Sequence, residues 1–285
     1  MGRFARSWML ATTCWRILRE DPRLAAFPVV SGIAVLAASI VFVVPGLLWG
    51  VSVGTENSGF QIGLVVLGVI LCYIEYFLII FCNAALVGVA RKRLEGEDAT
   101  IGDGFKIAFS RLPQILGWVA ITATVGLILR ALASNREGVL GIIGAIAASV
   151  VGLAWNILTY LVVPVLVVEN VGPIAAIKRS ASLLRKTWGE QIIGSGGIGL
   201  VFGLIALLII LVGGIITVVG FTSGTIVLGI VPLVVTVLAV VVVSLIATTL
   251  QGIYSAALYG YAVGGSTGSI DPALLQGAFR QKGSR

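Results

Sequence analysis

Residues 191–270 read QIIGSGGIGLVFGLIALLIILVGGIITVVGFTSGTIVLGIVPLVVTVLAVVVVSLIATTLQGIYSAALYGYAVGGSTGSI and contain no Asp, Glu, Lys or Arg. A helix of about 20 apolar residues crosses the ~30 Å hydrocarbon layer of a bilayer, so this stretch holds two crossings. Gly213-Gly214 and the run Gly220-Phe221-Thr222-Ser223-Gly224 are where the chain is expected to turn back. That places spans over 192–212 and 226–263. The same criterion applied outward finds four more, over 27–50, 62–90, 112–133 and 140–168.

Composition agrees. Of 285 residues, 58% are hydrophobic and 11% charged, against about 25% charged in a soluble domain. These figures exclude a soluble globular protein and a disordered chain. They also exclude a nucleic-acid partner despite a pI of 9.7. There is no histidine, which removes Ser-His and Cys-His dyads and His-held metal or haem. Cys14, Cys72 and Cys82 lack metal-ligand spacing and read as small buried hydrophobes. No cofactor or metal is expected, and no catalytic residue. Glu20 and Asp21 precede the first apolar core, so the N-terminus does not read as a cleavable signal.

All the lysines and arginines except Arg130 and Arg136 fall on one side of a six-span chain. By the positive-inside rule that side is cytoplasmic, with both termini inside the cell membrane. A surplus of positive charge there is expected to attract anionic headgroups.

The segments on that side are patterned. Within 3–20, Phe4, Trp8, Ala11, Trp15 and Leu18 form one stripe, and Arg3, Arg6, Arg16 and Arg19 lie off it. This is the pattern of a basic amphipathic helix at headgroup depth. Arg6-Ser7-x-x-Leu10-x4-Trp15 recurs as Arg179-Ser180-x-x-Leu183-x4-Trp188. Asn83-Ala-Ala-Leu-Val-Gly-Val-Ala90 recurs as Ser255-Ala-Ala-Leu-Tyr-Gly-Tyr-Ala262, at the same separation to within one residue. Thr100-x-x-Asp103 opens a weaker middle copy, and 271–280 reads as a short amphipathic tail helix. The fold class is therefore all-α and polytopic: six transmembrane helices as three repeated hairpins, each introduced by an interfacial helix. Arg6, Trp8, Trp15, Arg179 and Trp188 are the candidate lipid anchors.

These matched segments, with Gly172-Pro173-Ile-Ala-Ala-Ile-Lys-Arg-Ser180, resemble a family of six-span prokaryotic membrane proteins known only as a domain of unknown function. That family is distantly similar to the membrane domain attached to some glycerophosphodiester phosphodiesterases. The resemblance runs from Phe4 to Arg280, implies the six-span fold and brings no catalytic residues with it.

Glu75 is the one acidic residue deep inside a span, where a carboxylate is costly unless protonated, paired or facing water. Arg130 stands at a similar depth on the next span, so the two are candidates for a structural ion pair, for Arg130 snorkelling to the outer headgroups beside a protonated Glu75, or for a proton or substrate relay. Asn156, Asn83, Thr122 and Thr124 supply further intramembrane polarity, most simply as glue between helices. Small-xxx-small strings such as Gly252-x3-Ala256-x3-Gly260 permit close helix approach within the bundle or between protomers. Gly194-x-Gly196-x-x-Gly199 matches a dinucleotide fingerprint but lacks the strand that gives it meaning.

Three functions fit this pattern. The first is a non-enzymatic protein that binds lipid, a membrane partner or a second copy through its basic face. The second is a small-molecule or proton-coupled transporter with Glu75, Arg130 and Asn156 along its pathway. The third is an intramembrane enzyme, for which the residues offer no constellation.

Overall fold

The computed structural model describes residues 3–53, 58–134, 139–188, 197–223 and 226–264. Among them every regular element is a helix: α1 Arg3–Glu20, a 3-10 turn Pro22–Ala25, α2 Ala26–Val53, α3 Ser58–Leu94, α4 Ile101–Ser110, α5 Leu112–Ser134, α6 Val139–Thr159, α7 Val162–Glu169, α8 Pro173–Trp188, α9 Gly197–Thr222 and α10 Ile226–Ala262. Among the described residues six stretches are long and apolar enough to cross a membrane: Pro22–Ser52, Ser58–Leu94, Leu112–Ala133, Gly144–Glu169, Val201–Thr222 and Ile226–Ala262. The expected tail helix over 271–280 lies outside the described residues.

Two spans differ from the sequence reading in an instructive way. The fourth is broken at Tyr160-Leu161, between α6 and α7. The fifth runs through Gly213-Gly214 and ends at Thr222 rather than near Val212. Gly213 is a contact, not a turn: a Cβ there would collide with the Thr236 side chain of α10, and one at Gly220 with the Leu228 backbone carbonyl. Small residues here let two helices touch along their length.

Burial is lopsided. On α3, apart from Phe60, the buried residues begin at Ile80 and run to Leu94. On α10, apart from Gly229, they begin at Thr249. Nearly all of α7 is buried between Val162 and Val167. These three helices pack together at one end of the bundle, with Gly252 of α10 set closely against Leu86 of α3. We call this the basic end, because α3 finishes there with Arg91, Lys92 and Arg93. Away from it the spans carry large exposed apolar side chains, among them Val51 at 87% and Ile226 at 70%. That surface suits acyl chains.

Three shorter helices surround the packed end. α4 lies on α3, α8 on α6 and α7, and α1 on α9 and α10. Each thus docks on a hairpin, and α1, first in the chain, docks on the last one. Gly104 of α4 comes so near that a Cβ would sit 2.6 Å from Phe27 Cζ and 2.8 Å from Val89 Cγ2. Phe27, itself fully buried, also meets Phe105 at 5.4 Å between ring centroids.

Candidate functional site

Local caps and stops shape the helices of the basic end. Thr100 caps α4 in a reciprocal box: its Oγ1 accepts from the Asp103 N–H at 3.2 Å, and Asp103 Oδ2 accepts from the Thr100 N–H at 2.9 Å. The Thr100 backbone and hydroxyl bonds hold the Asp103 carboxyl below its usual value. Asn170, with a left-handed φ of 53°, stops α7, and Pro173 opens α8, where a missing N–H costs nothing. Asp21 starts the 3-10 turn by accepting from the Arg23 N–H at 3.2 Å.

The cations at this end divide into two sets. One is spent inside the protein. Arg93 pairs with Asp21 (Nε to Oδ2, 3.0 Å) and with Asp98, and donates to the Ala99 carbonyl at 3.2 Å. It thereby ties the entry to the first span to the exit from the second. Arg91 pairs with Glu95 at 2.5 Å and lies over the Tyr259 ring, 5.6 Å from its centroid. Arg111 donates to the Val167 carbonyl at 3.1 Å, satisfying an end group of α7. Glu169 is a hub, accepting from Arg179 Nε at 2.9 Å and from the Tyr259 hydroxyl at 3.0 Å. Its hydrogen bond raises the Arg179 guanidinium above the usual arginine value.

The second set is exposed: Arg16 and Arg19 on α1, Arg23 on the 3-10 turn, Lys106 on α4, and Lys178 and Arg185 on α8. Among the described residues none of these six enters an ion pair. Each of the three peripheral helices also shows a large apolar side chain: Trp15 at 45%, Phe109 at 63% and Ile174 at 64% exposed.

Of the expected anchors, Trp15 is exposed as an anchor requires. Arg179 is committed to Glu169 instead, a tie between α8 and α7. The side chains of Arg6, Trp8 and Trp188 lie outside the described residues.

The intramembrane polar residues do not converge. Glu75 is partly buried and meets Ser39 of α2, whose Oγ lies 2.8 Å from Oε1. Among the described residues Glu75 and Arg130 form no ion pair, and Arg130 is exposed, as in the alternative in which it reaches toward the outer headgroups. α3 faces α5 through Tyr73, whose hydroxyl donates to the Leu116 carbonyl at 3.3 Å, and through Tyr76, beside Gly126. Tyr73 and Tyr76 are three residues apart and share a face, whereas Glu75 lies on another. Arg130 and Asn156 are exposed on α5 and α6, and Asn83 is partly buried near Gly252. Thr122 and Thr124 bond carbonyls of their own helix, Trp118 at 3.0 Å and Ala120 at 2.7 Å. Among the described residues no group of His, Cys, Asp and Glu is placed to hold a metal ion.

Residues 61–269 match the model of a family of unknown function, DUF6159. The chain belongs to that family. No curated protein and no solved structure matches it.

Sequence reasoning missed three residues that matter in this DUF6159 protein. Ser39 gave no signal beyond being polar in a span. Glu169 was only a marker for the end of one. Ser180 was singled out by the repeated Arg-Ser pair, but its role was hidden. Fully buried, it donates to the Leu158 carbonyl at 2.7 Å and accepts from the Leu161 N–H at 3.2 Å. Those groups flank the break between α6 and α7, so one hydroxyl satisfies a carbonyl and an N–H beside it.

Proposed function

We propose that this DUF6159 protein is a non-enzymatic, multi-pass protein of the cell membrane whose basic end seats anionic lipid headgroups on the cytoplasmic side. The single observation that carries the reading is the division of the cations. Those needed for folding are paired, while Arg16, Arg19, Lys106, Lys178 and Arg185 stand unpaired among the described residues on three helices that also expose Trp15, Phe109 and Ile174. An apolar side chain beside cations on an amphipathic helix is the arrangement that lies in an interface. Each such cation near an anionic surface contributes roughly 1 kcal/mol. The asymmetry of Lys and Arg along the chain supports both termini lying inside.

The helix arrangement fits a threefold repeat of interfacial helix plus hairpin, with α1, α4 and α8 as equivalent introducing helices. In this reading each docks on the hairpin before it, and α1 closes the ring on the third. The wider likeness to prokaryotic membrane proteins, and to the membrane domain attached to some glycerophosphodiester phosphodiesterases, belongs to the same proposal. A membrane protein partner, or a second copy, would meet the same face. Transport through Glu75, Arg130 and Asn156 is the competing reading; Glu75 meeting Ser39 of α2, with Arg130 and Asn156 exposed on α5 and α6, weighs against it.

The test is thermal unfolding of the full chain in mixed micelles. Added phosphatidylglycerol should raise Tm over added phosphatidylcholine, and Lys106→Ser, Lys178→Ser and Arg185→Ser together should remove the difference. Equal effects of the two lipids on the wild type would overturn the proposal.

A further inference from the structure

A primary amide lies bare halfway along the fourth span. Counting from Gly144, Asn156 is the thirteenth residue of the 26-residue stretch Gly144–Glu169, and it is exposed on α6. Its side chain offers two N–H donors and an oxygen with two lone pairs. Among the described residues it forms no hydrogen bond. The hydroxyls of the same helix escape that cost by turning back on it: Ser149 donates to the Ala145 carbonyl at 2.8 Å, and Thr159 to the Trp155 carbonyl at 2.7 Å. Acyl chains supply neither donor nor acceptor, and at mid-span the headgroups are about 15 Å away, half the hydrocarbon thickness. A polar group at that depth needs a partner within the membrane.

α6 has a flank on which to receive one. It packs on α5, with Gly152 against Leu129 and Trp155 stacked on Trp118 at 5.9 Å between ring centroids, and on α8. Beside that contact, Ala145, Ser149 and Asn156 fall within about 40° of one another on a helix of 3.6 residues per turn, and all three are exposed. Ala145 and Ser149 are small enough for a second helix to come close to Asn156. Symmetry and complementarity name the occupant. Copies of one chain enter the membrane in the same direction, so a twofold axis between two of them runs along the membrane normal. The same patch then meets itself, α6 lies parallel to its counterpart, and both Asn156 amides stand at one depth. An amide is its own complement, because each N–H donates to the oxygen of the other. A different protein would have to bring a matching polar group to that level, whereas a second copy always does. We propose that this protein forms a parallel homodimer across α6, with Asn156 bonded reciprocally to the partner's Asn156. The surface is separate from the basic end and does not depend on lipid selection there.

The experiment uses the full chain, labelled at its N-terminus, in phosphatidylcholine vesicles. Single-molecule photobleaching over a dilution series reads the dimer fraction and its dissociation constant. The wild type should bleach in two steps at high density. Asn156→Leu should raise the dissociation constant roughly 3- to 30-fold, the span measured for hydrogen bonds between membrane helices, and Asn156→Gln, which keeps an amide, should fall between the two. Cross-linking locates the face with Asn156 intact. In a chain with Cys14, Cys72 and Cys82 replaced by alanine, Ala145→Cys and Ser149→Cys should each form an intermolecular disulfide on oxidation. Val150→Cys, on another face of α6, and Ile210→Cys, on α9, should not, although both positions are exposed. A monomeric wild type, an Asn156→Leu chain that dimerises as tightly as the wild type, or cross-linking as strong at 150 or 210 as at 149 overturns the proposal.

Discussion

Replacing Ser180 with alanine tests how the fourth span is held together at its break. The hydroxyl donates to the Leu158 carbonyl at 2.7 Å and accepts from the Leu161 N–H at 3.2 Å, and both Ser180 and Leu161 are fully buried. Alanine fits the same space, so the perturbation is the loss of two hydrogen bonds at a fully buried site. Each polar group left unsatisfied costs about 1–3 kcal/mol, so the pair should cost about 2–6 kcal/mol. At about 2–4 °C per kcal/mol for a large domain, Tm should fall by roughly 4–24 °C. The control is Ser149→Ala, whose exposed hydroxyl only bonds the Ala145 carbonyl of its own helix at 2.8 Å; it should change stability by less than about 0.5 kcal/mol. The assay is thermal unfolding in detergent, paired with amide hydrogen exchange over 160–163. Exchange at Leu161 should accelerate in Ser180→Ala before global unfolding begins. A Ser180→Ala protein that melts with the Ser149→Ala control, and exchanges Leu161 at the wild-type rate, would refute the reasoning.

Three further outcomes follow from the geometry. Asp103 sits below its ordinary value, so its contribution is present above about pH 4 and is lost as pH falls through that lower folded value; amide exchange in the first turn of α4 should quicken in that acid window, and Asp103→Asn should show quick, pH-independent opening there already at neutral pH. Gly104→Ala should cost about 1–3 kcal/mol because its Cβ would meet Phe27 and Val89, whereas Gly203→Ala, with nothing within 4 Å, should stabilise α9 by up to about 1 kcal/mol; equal melting temperatures for the two would count against the packing described. Burial pushes the Cys14 thiol up to about 12, so it should resist maleimide in the folded protein at a pH where a free cysteine near 8.5 reacts, and become labelled only on unfolding.

Much of the architecture was legible because membrane spans are written in composition. The uncharged run 191–270 required two crossings, and the structure supplies α9 and α10. What composition does not encode is phase. Gly213-Gly214 reads equally as a turn or as a contact, and only the placement of Thr236 decides it. Depth along a span likewise follows from counting residues, but the direction a side chain faces does not. Glu75 and Arg130 therefore looked like partners, while the actual partner of Glu75 is Ser39. Charge on the basic end had the same ambiguity. Arg179 and Arg185 sit in one amphipathic helix, yet one is tied to Glu169 and the other exposed. The Thr100–Asp103 box was readable outright because a cap is local to four residues.

The central claim is that the free cations of the basic end select anionic lipid. The most direct measurement is the lipid retained by the purified full chain, identified by mass spectrometry and compared with the composition of the membrane it was extracted from. The account predicts severalfold enrichment of anionic over zwitterionic headgroups. That enrichment should vanish when Arg16, Arg19, Lys106, Lys178 and Arg185 are replaced together by serine in a protein that still folds. Retained lipid that mirrors the bulk membrane, or the same enrichment in the serine variant, would contradict it.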